Sequence, residues 1–331
     1  MSRTIFITGC ATGFGRALAE AALVTGHKVI ATDPSLTALD TLEGTSDQLL
    51  RLSLDVRDAT AVTKAVDAAN AFSPVVTFVN NGGYAFFSKI ETADLDQFTE
   101  MFDVNVTGGM RVLQALLPQL RACSGTVVAL SSVAGRMVFP ESGYYAATKY
   151  AVEALHEALI QETATFGIKV RLIQPGSFNT QFLTTASEKS PPKEQSSNYA
   201  HLYDLWDKRK FAILATPQDP VLVVNAILSC LDHPAPFMRI PVGEDAHQLL
   251  AVREALSVDG WVRLMADRNG LDTPHQPTDL PGPEALLKNL ANLTPEQKHG
   301  LITAKTAGHL DHWSDSPFGD AALALVDSLV P

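Results

Sequence analysis

Seven short, nearly continuous apolar runs, separated by stretches with helical spacing, limit what this chain can fold into. The runs cover residues 3–8, 28–33, 49–55, 75–80, 125–131, 169–174 and 237–242. They are rich in Val, Ile and Leu and scarcely alternate with polar residues, which is the pattern of parallel strands buried on both faces. Between them, residues 16–25, 59–71, 95–122 and 145–166 carry apolar positions at three- and four-residue intervals. Strand, helix and next strand make a right-handed crossover unit. The expected fold is therefore α/β, a doubly wound parallel sheet with helices on both faces.

Two segments depart from the alternation. Residues 177–215 hold Pro191-Pro192, many Ser and Thr, and Lys208-Arg209-Lys210, and read as an insertion with short helices. Residues 246–331 follow the last strand, with helical candidates at 247–268, 283–293, 295–307 and 320–329. Thr294 and Gln297 have capping-box spacing, and the Pro-rich stretch 273–283 reads as a linker. We expect one unit over residues 1–245, with 246–331 as a helical C-terminal appendage rather than an independent domain.

With 46% hydrophobic and 18% charged residues, the 331-residue chain has ample material for a core. Lys and Arg number 25 against 36 Asp and Glu, a net charge of −11. From residue 245 onward there are 12 acidic and 6 basic residues, so the tail carries about half of that charge. So acidic a balance argues against nucleic acid or an anionic membrane as partner. Cys10, Cys123 and Cys230 are too widely spaced for a disulfide framework or a zinc site and read as reduced thiols. No apolar run approaches the roughly 18 residues of a membrane span, and the first one is too short for a signal-peptide core. The expected location is cytoplasmic.

The first turn after a strand reads Thr8-Gly9-Cys10-Ala11-Thr12-Gly13-Phe14-Gly15. Glycines there let backbone N–H groups reach a pyrophosphate at the positive end of the following helix. The second strand ends at Asp33, whose carboxylate can accept from both ribose hydroxyls of an adenosine and would repel a 2′-phosphate. Pro34 and Ser35 follow, with no basic residue, and Thr12 is uncharged. This favours NAD over NADP. Tyr145 and Lys149 lie four apart on a predicted helix and share a face. An ammonium beside a phenol draws its pKa down from about 10 and makes Tyr145 a general acid/base. Tyr144 has Thr148 at the same spacing and is excluded. Ser132, at the end of the fifth strand, is placed to hold a substrate oxygen.

These residues, together with Asp55-Val56, Asn80-Asn81-Gly82, Asn105, Pro175-Gly176 and Thr180, stand in the order and spacing of a known family. Over residues 3–246 the chain resembles the short-chain dehydrogenase/reductases, in their compact single-domain branch with a Rossmann-type fold. The resemblance implies a catalytic set of Asn105, Ser132, Tyr145 and Lys149. Tyr145 would exchange a proton with the substrate oxygen, Ser132 would position that oxygen, and Lys149 would bind the nicotinamide ribose and lower the Tyr145 pKa. Asn105 would sustain a proton relay from Lys149 to solvent. The cofactor would be held by Gly9, Thr12, Gly13, Phe14, Gly15, Asp33, Asp55, Val56, Asn81, Gly82, Gly83, Tyr145, Lys149, Pro175, Gly176, Phe178 and Thr180. Gly83 stands where the family more often has alanine, a loss of one methyl expected to matter little. Family members pair through the two long helices, so a homodimer or homotetramer is expected.

Residues 177–215 contain six of the chain's 24 aromatic residues. They should converge with Tyr84 and with Val138-Phe139 above the strand C-termini. Tyr84, Val138, Phe139, Phe182 and Trp206 are the candidate substrate residues, and apolar walls suit a bulky or aromatic secondary alcohol or ketone. The wording around Tyr145 is similar to members acting on steroids and retinoids. Two alternatives stand beside this reading: an NADPH-dependent ketone reductase, and a non-catalytic nucleotide-sensing scaffold. His309 and His312 flank a single Asp311, a pattern of solvated helix ends, and no metal is expected.

Overall fold

The computed structural model describes residues 2–178, 180–192, 198–199 and 218–268, with 294, 295, 298 and 302. Seven strands make one parallel sheet: β1 Thr4–Thr8, β2 Lys28–Asp33, β3 Leu49–Ser53, β4 Thr77–Asn80, β5 Thr126–Leu130, β6 Lys169–Pro175 and β7 Phe237–Val242. Their order is β3-β2-β1-β4-β5-β6-β7, so the chain reverses direction across the sheet between β1 and β4. The helices are α1 Gly13–Val24, α2 Leu36–Leu39, α3 Ala59–Phe72, α4 Leu95–Phe102, α5 Gly109–Ala122, α6 Gly143–Thr163, α7 Gln181–Lys189, α8 Val221–Cys230, α9 Glu244–Ala255 and α10 Val258–Arg268.

Alternate side chains of each strand enter opposite cores. Ile5 and Ile7 of β1 join Leu18, Ala19 and Ala22 of α1 and Val223, Val224 and Ile227 of α8. Phe6, between them, joins Phe78 and the buried faces of α3 and α5 on the other side. Both faces of the sheet are covered, which is why the strand runs are continuously apolar.

The interior also holds charged groups. Arg171 on β6 is fully buried. Its Nε donates to the Cys230 carbonyl (3.1 Å), its Nη1 to those of Val170 (3.1 Å) and Pro236 (3.3 Å), and its Nη2 to that of His233 (2.8 Å). The guanidinium thus sits at the negative end of α8 and binds the turn that leads into β7.

Two expected helices are interrupted. The stretch 95–122 contains a π-helical segment, Asp103–Gly108, between α4 and α5. Side chains at Gly108 and Gly109 would overlap Val56 and Asn80 respectively, so these glycines bring the helix close against the β3 and β4 ends. The stretch 247–268 divides into α9 and α10 because Ser257 caps the second, its Oγ accepting from Gly260 N at 3.0 Å. The described residues belong to two compact units, 2–192 with 218–242, and 198–199 with 243–268, 294, 295, 298 and 302. The C-terminal part of the second begins at Gly243, three residues before the expected start of the appendage. Among the described residues, no helix is long and apolar enough to cross a membrane. Tail candidates beyond residue 268, including His309 and His312, lie outside the described residues.

Candidate active site

The C-terminal ends of β1, β2, β4, β5 and β6 face one side, where open α/β sheets bind ligands. At the end of β1 the chain turns through Gly9, whose φ is +72° and where a Cβ would lie 2.7 Å from Gly82 Cα. Only glycine allows that conformation and that approach together. Thr8 Oγ1 accepts from the backbone N–H of Asn81 (3.0 Å) and of Gly82 (2.9 Å). Asn81 Nδ2 donates to the carbonyls of Thr8 (2.8 Å) and Gly9 (3.0 Å). Asn81, expected among the cofactor residues, uses its side-chain N–H groups to lock the glycine turn to β4.

The turn fits a dinucleotide. Thr12 at the N-cap of α1 makes no side-chain cap, and the first turn carries no acidic residue. The positive helix end is therefore left to an anion. Asp33 faces the same turn, its Oδ2 accepting from Ala11 N and its Oδ1 from Ser35 N, each at 3.1 Å. Beside it a cleft of about 410 Å³ is lined by Gly13, Thr180, Gln181, Thr184 and Pro220. Phe14 packs edge-on to Phe178, ring centres 5.4 Å apart, which joins the α1 start to the segment after β6. Gly176 N donates to the Val242 carbonyl at 2.9 Å and fixes the exit from Pro175. Asp55 is less available: the Arg57 guanidinium grips it at 2.7 Å and holds its carboxyl below the usual range. Val56 packs against Gly108.

The four expected catalytic residues come together at β5, the π-turn and α6. Ser132 caps the short 3-10 turn Val133–Gly135 by accepting from Ala134 N at 3.1 Å, and its hydroxyl lowers the pKa of the neighbouring Tyr145 phenol. Lys149 Nζ donates to the Leu130 carbonyl at 2.7 Å and lies 5.7 Å from the Tyr145 ring centre. Asn105 is buried in the π-turn. Its Oδ1 accepts from Tyr84 N (3.0 Å), and its Nδ2 donates to Tyr84 O (2.8 Å) and Thr148 Oγ1 (3.2 Å). Thr148 in turn donates to the Tyr145 carbonyl at 2.8 Å, so Asn105 is tied to the helix that carries the tyrosine.

The electrostatics differ from the expectation of a lowered phenol. Burial pushes the Tyr145 pKa up, and the Ser132 hydroxyl only partly opposes it. Burial also pushes Lys149 down to about 8, against the pull of the Glu153 charge. The ammonium gives one of its three donors to Leu130, and desolvation of both groups outweighs their spacing on the helix.

Apolar side chains stand over this cluster. The Tyr145 ring lies 5.6 Å from Phe182 and 6.2 Å from Phe87, between centres. Phe182 sits on α7, which is fastened to the β4–α4 loop by Phe87 N donating to Ser190 Oγ (2.8 Å) and Gln97 Nε2 to Lys189 O (2.7 Å). Tyr84 lies under the Lys189 ammonium at 4.6 Å, its phenol pushed up to about 12 by burial. Val138 is 44% exposed, and Phe139 closes a turn on Ser142. Neither belongs to the cluster around Tyr145. Trp206 lies outside the described residues.

Gly83 proves tighter than expected. A Cβ there would lie 2.9 Å from Asn105 Oδ1. Gly83→Ala should therefore displace Asn105 and destabilise the fold by about 1–3 kcal/mol. A urea midpoint equal to that of the wild type would refute this.

A profile of the short chain dehydrogenase family matches residues 3–191. The chain belongs to the short-chain dehydrogenase/reductase family. It is 33% identical over 251 residues to an oxidoreductase of Botryotinia fuckeliana, covering 74% of this chain and 90% of that one. It is 32% identical over 260 residues to retinol dehydrogenase 16 of Homo sapiens, covering 74% and 82%. A solved short-chain dehydrogenase from Streptomyces avermitilis shares the fold with a TM-score of 0.69 at 32% identity, over 81% and 96% of the two chains. As a short-chain dehydrogenase/reductase it is a nicotinamide-nucleotide-dependent oxidoreductase.

Sequence reasoning missed several residues that build this site. Thr8 was read only as the start of the glycine turn, although a hydroxyl there is what lets two strand ends share donors. Arg57 was overlooked, and so was Glu153, whose signal was its place four residues beyond Lys149.

Proposed function

We propose that this short-chain dehydrogenase/reductase uses NAD and interconverts a bulky, apolar secondary alcohol and its ketone, with Tyr145 as the acid/base. The observation that carries this reading is the Tyr145 phenol set beside Ser132 and beneath the rings of Phe87 and Phe182. Among the relatives, retinol dehydrogenase 16 by its name acts on a long apolar alcohol, which supports an apolar substrate here.

The bound nicotinamide supplies hydride transfer at the substrate carbon. In reduction the Tyr145 phenol gives its proton to the substrate oxygen; in oxidation the phenolate takes it back. Ser132 holds that oxygen through its hydroxyl. Lys149, oriented by the Leu130 carbonyl, places its charge beside the ring and binds the cofactor ribose. Asn105 holds the Tyr84 backbone and, through Thr148, the turn of α6 that presents Tyr145. Gly9, Gly13 and Gly15 with the α1 N–H groups would cradle the pyrophosphate, and Pro175 to Thr180 the nicotinamide side. Apolar rings keep water from the proton exchange.

Asp33 supports NAD, because a carboxylate at the end of β2 would repel the 2′-phosphate of an adenosine ribose bound there. Absorbance at 340 nm with a panel of steroid, retinoid and aromatic alcohols should show NAD preferred over NADP by at least about tenfold, about 1.4 kcal/mol. Asp33→Ala should erase that preference. Equal use of both cofactors by the wild type would sink the assignment, and absence of turnover across the panel would sink the substrate class.

A further inference from the structure

Behind the expected catalytic residues, away from the substrate face, α6 buries a second set of charges. Glu153 lies one helical turn beyond Lys149, so the two share a face with Cβ atoms about 5–6 Å apart. Both are interior: Lys149 is 7% exposed and Glu153 5%. The turn Val133–Gly135 closes on that step, since a Cβ at Gly135 would lie 2.9 Å from Glu153 Cγ and 3.2 Å from the Lys149 carbonyl. Water has little room there.

The Glu153 carboxylate is fully engaged. Its Oε1 accepts from Gln174 Nε2 on β6 at 2.8 Å, and its Oε2 from Arg239 Nε on β7 at 2.9 Å. Arg239 reaches on to the exposed Glu157 at 2.6 Å and stacks over Phe237 at 4.9 Å. His156, fully buried on the same face, shares its Nδ1 hydrogen with the Val152 carbonyl at 2.8 Å, and burial keeps the ring neutral. The charged and titratable groups around Lys149 are therefore Tyr145, Glu153 and His156 on α6 and Arg239 on β7, with Gln174 the polar neighbour on β6. Glu153 is the carboxylate among them. One arginine N–H and one amide N–H hold the two carboxylate oxygens in place.

We propose that Glu153 is a positioning residue for the acid/base pair: its negative charge sustains the Lys149 ammonium in a dry site, and Gln174 and Arg239 hold Glu153 in that role. This rests on the reading of Tyr145 and Lys149 given above. Lys149 needs its proton both to donate to the cofactor ribose and to favour the Tyr145 phenolate. Burial strips that proton away, and Glu153 opposes burial. Without such a carboxylate the ammonium would be lost within the working pH range.

The test follows NADH affinity by fluorescence from about pH 6 to pH 10, alongside turnover. Wild-type affinity should fall as Lys149 loses its proton. In Glu153→Gln, which keeps shape and hydrogen bonding but not charge, the fall should come at lower pH. At about pH 8 the variant should bind NADH about two- to fivefold more weakly than the wild type, which corresponds to a shift of about 0.5–1 pH unit from a Lys149 pKa of about 8. The alkaline limb of turnover should move with it. Glu157→Gln, which removes a carboxylate from the same arginine at the surface, should leave both curves in place.

An unmoved binding curve in Glu153→Gln, or an equal shift in Glu157→Gln, overturns the proposal. If Glu153→Gln fails to fold because Arg239 is orphaned, the double variant Glu153→Gln/Arg239→Gln keeps a bonded amide pair. It must still shift the curve downward, and no shift overturns the proposal. Failure of the underlying reading is distinct. In that case the wild type itself would show no turnover, or an NADH affinity unaffected by Lys149→Met.

Discussion

Tyr145→Phe lowers turnover in both directions by about 10²–10⁴-fold while NADH binding stays within about twofold of the wild type. The substitution removes one oxygen, beside Ser132. It leaves the ring packed between Phe87 and Phe182. The glycine turn and Asp33 lie on β1 and β2, outside that contact, so the pyrophosphate cradle is untouched. The pH dependence of the wild type follows from the direction of the phenol's shift. Burial holds Tyr145 protonated, which is the form that donates to a ketone oxygen. Reduction should therefore be fastest toward the acid side of the working range. Oxidation needs the phenolate, whose population rises with pH, so it should climb with pH until Lys149, near 8, begins to lose its proton. Opposite slopes for the two directions should be present in the wild type and absent from any residual activity of Tyr145→Phe. A variant that retains wild-type turnover would remove Tyr145 from the mechanism.

Arg171→Met should cost about 3–5 kcal/mol of stability, read from the urea midpoint. Methionine fills much of the volume but donates to none of the four carbonyls that Arg171 now satisfies. An orphaned buried acceptor costs about 1–3 kcal/mol, and water can reach only some of these. Arg171→Lys should recover only part of the loss, because an ammonium on a longer stem cannot imitate the planar fork. The effect should be confined to folding. Arg171 lies near the start of β6, away from the β5 end that holds Ser132 and the α6 start that holds Tyr145, so folded variant at low temperature should keep its kcat. A loss below about 1 kcal/mol would show that the carbonyls find other partners.

Much of the fold was legible because its sheet is covered on both sides. Such strands announce themselves as continuous apolar runs, and all seven lie where those runs fall. Chemistry carried by short spacings was also legible. Gly9, Gly13 and Gly15 belong to one turn, and Tyr145 and Lys149 to one helix, so local periodicity alone brings them together. The π-turn at Asn105 was not legible. Its cause is the close approach allowed by Gly108 and Gly109 to residues on β3 and β4 ends, a contact between segments far apart in the chain. The crowding of Gly83 against Asn105 has the same origin.

The sequence by itself determined the doubly wound sheet, the glycine turn and the placing of Tyr145 and Lys149 on one helix, because each depends on neighbours within a strand, a turn or a helix. Tertiary structure alone decided how those groups are charged. The Tyr145 phenol is raised rather than lowered, Asn81 serves the turn, Asp55 is held by Arg57, and Glu153 stands behind Lys149. A pKa reports the dielectric and the charges that packing assembles from several elements, and no spacing along one element contains them.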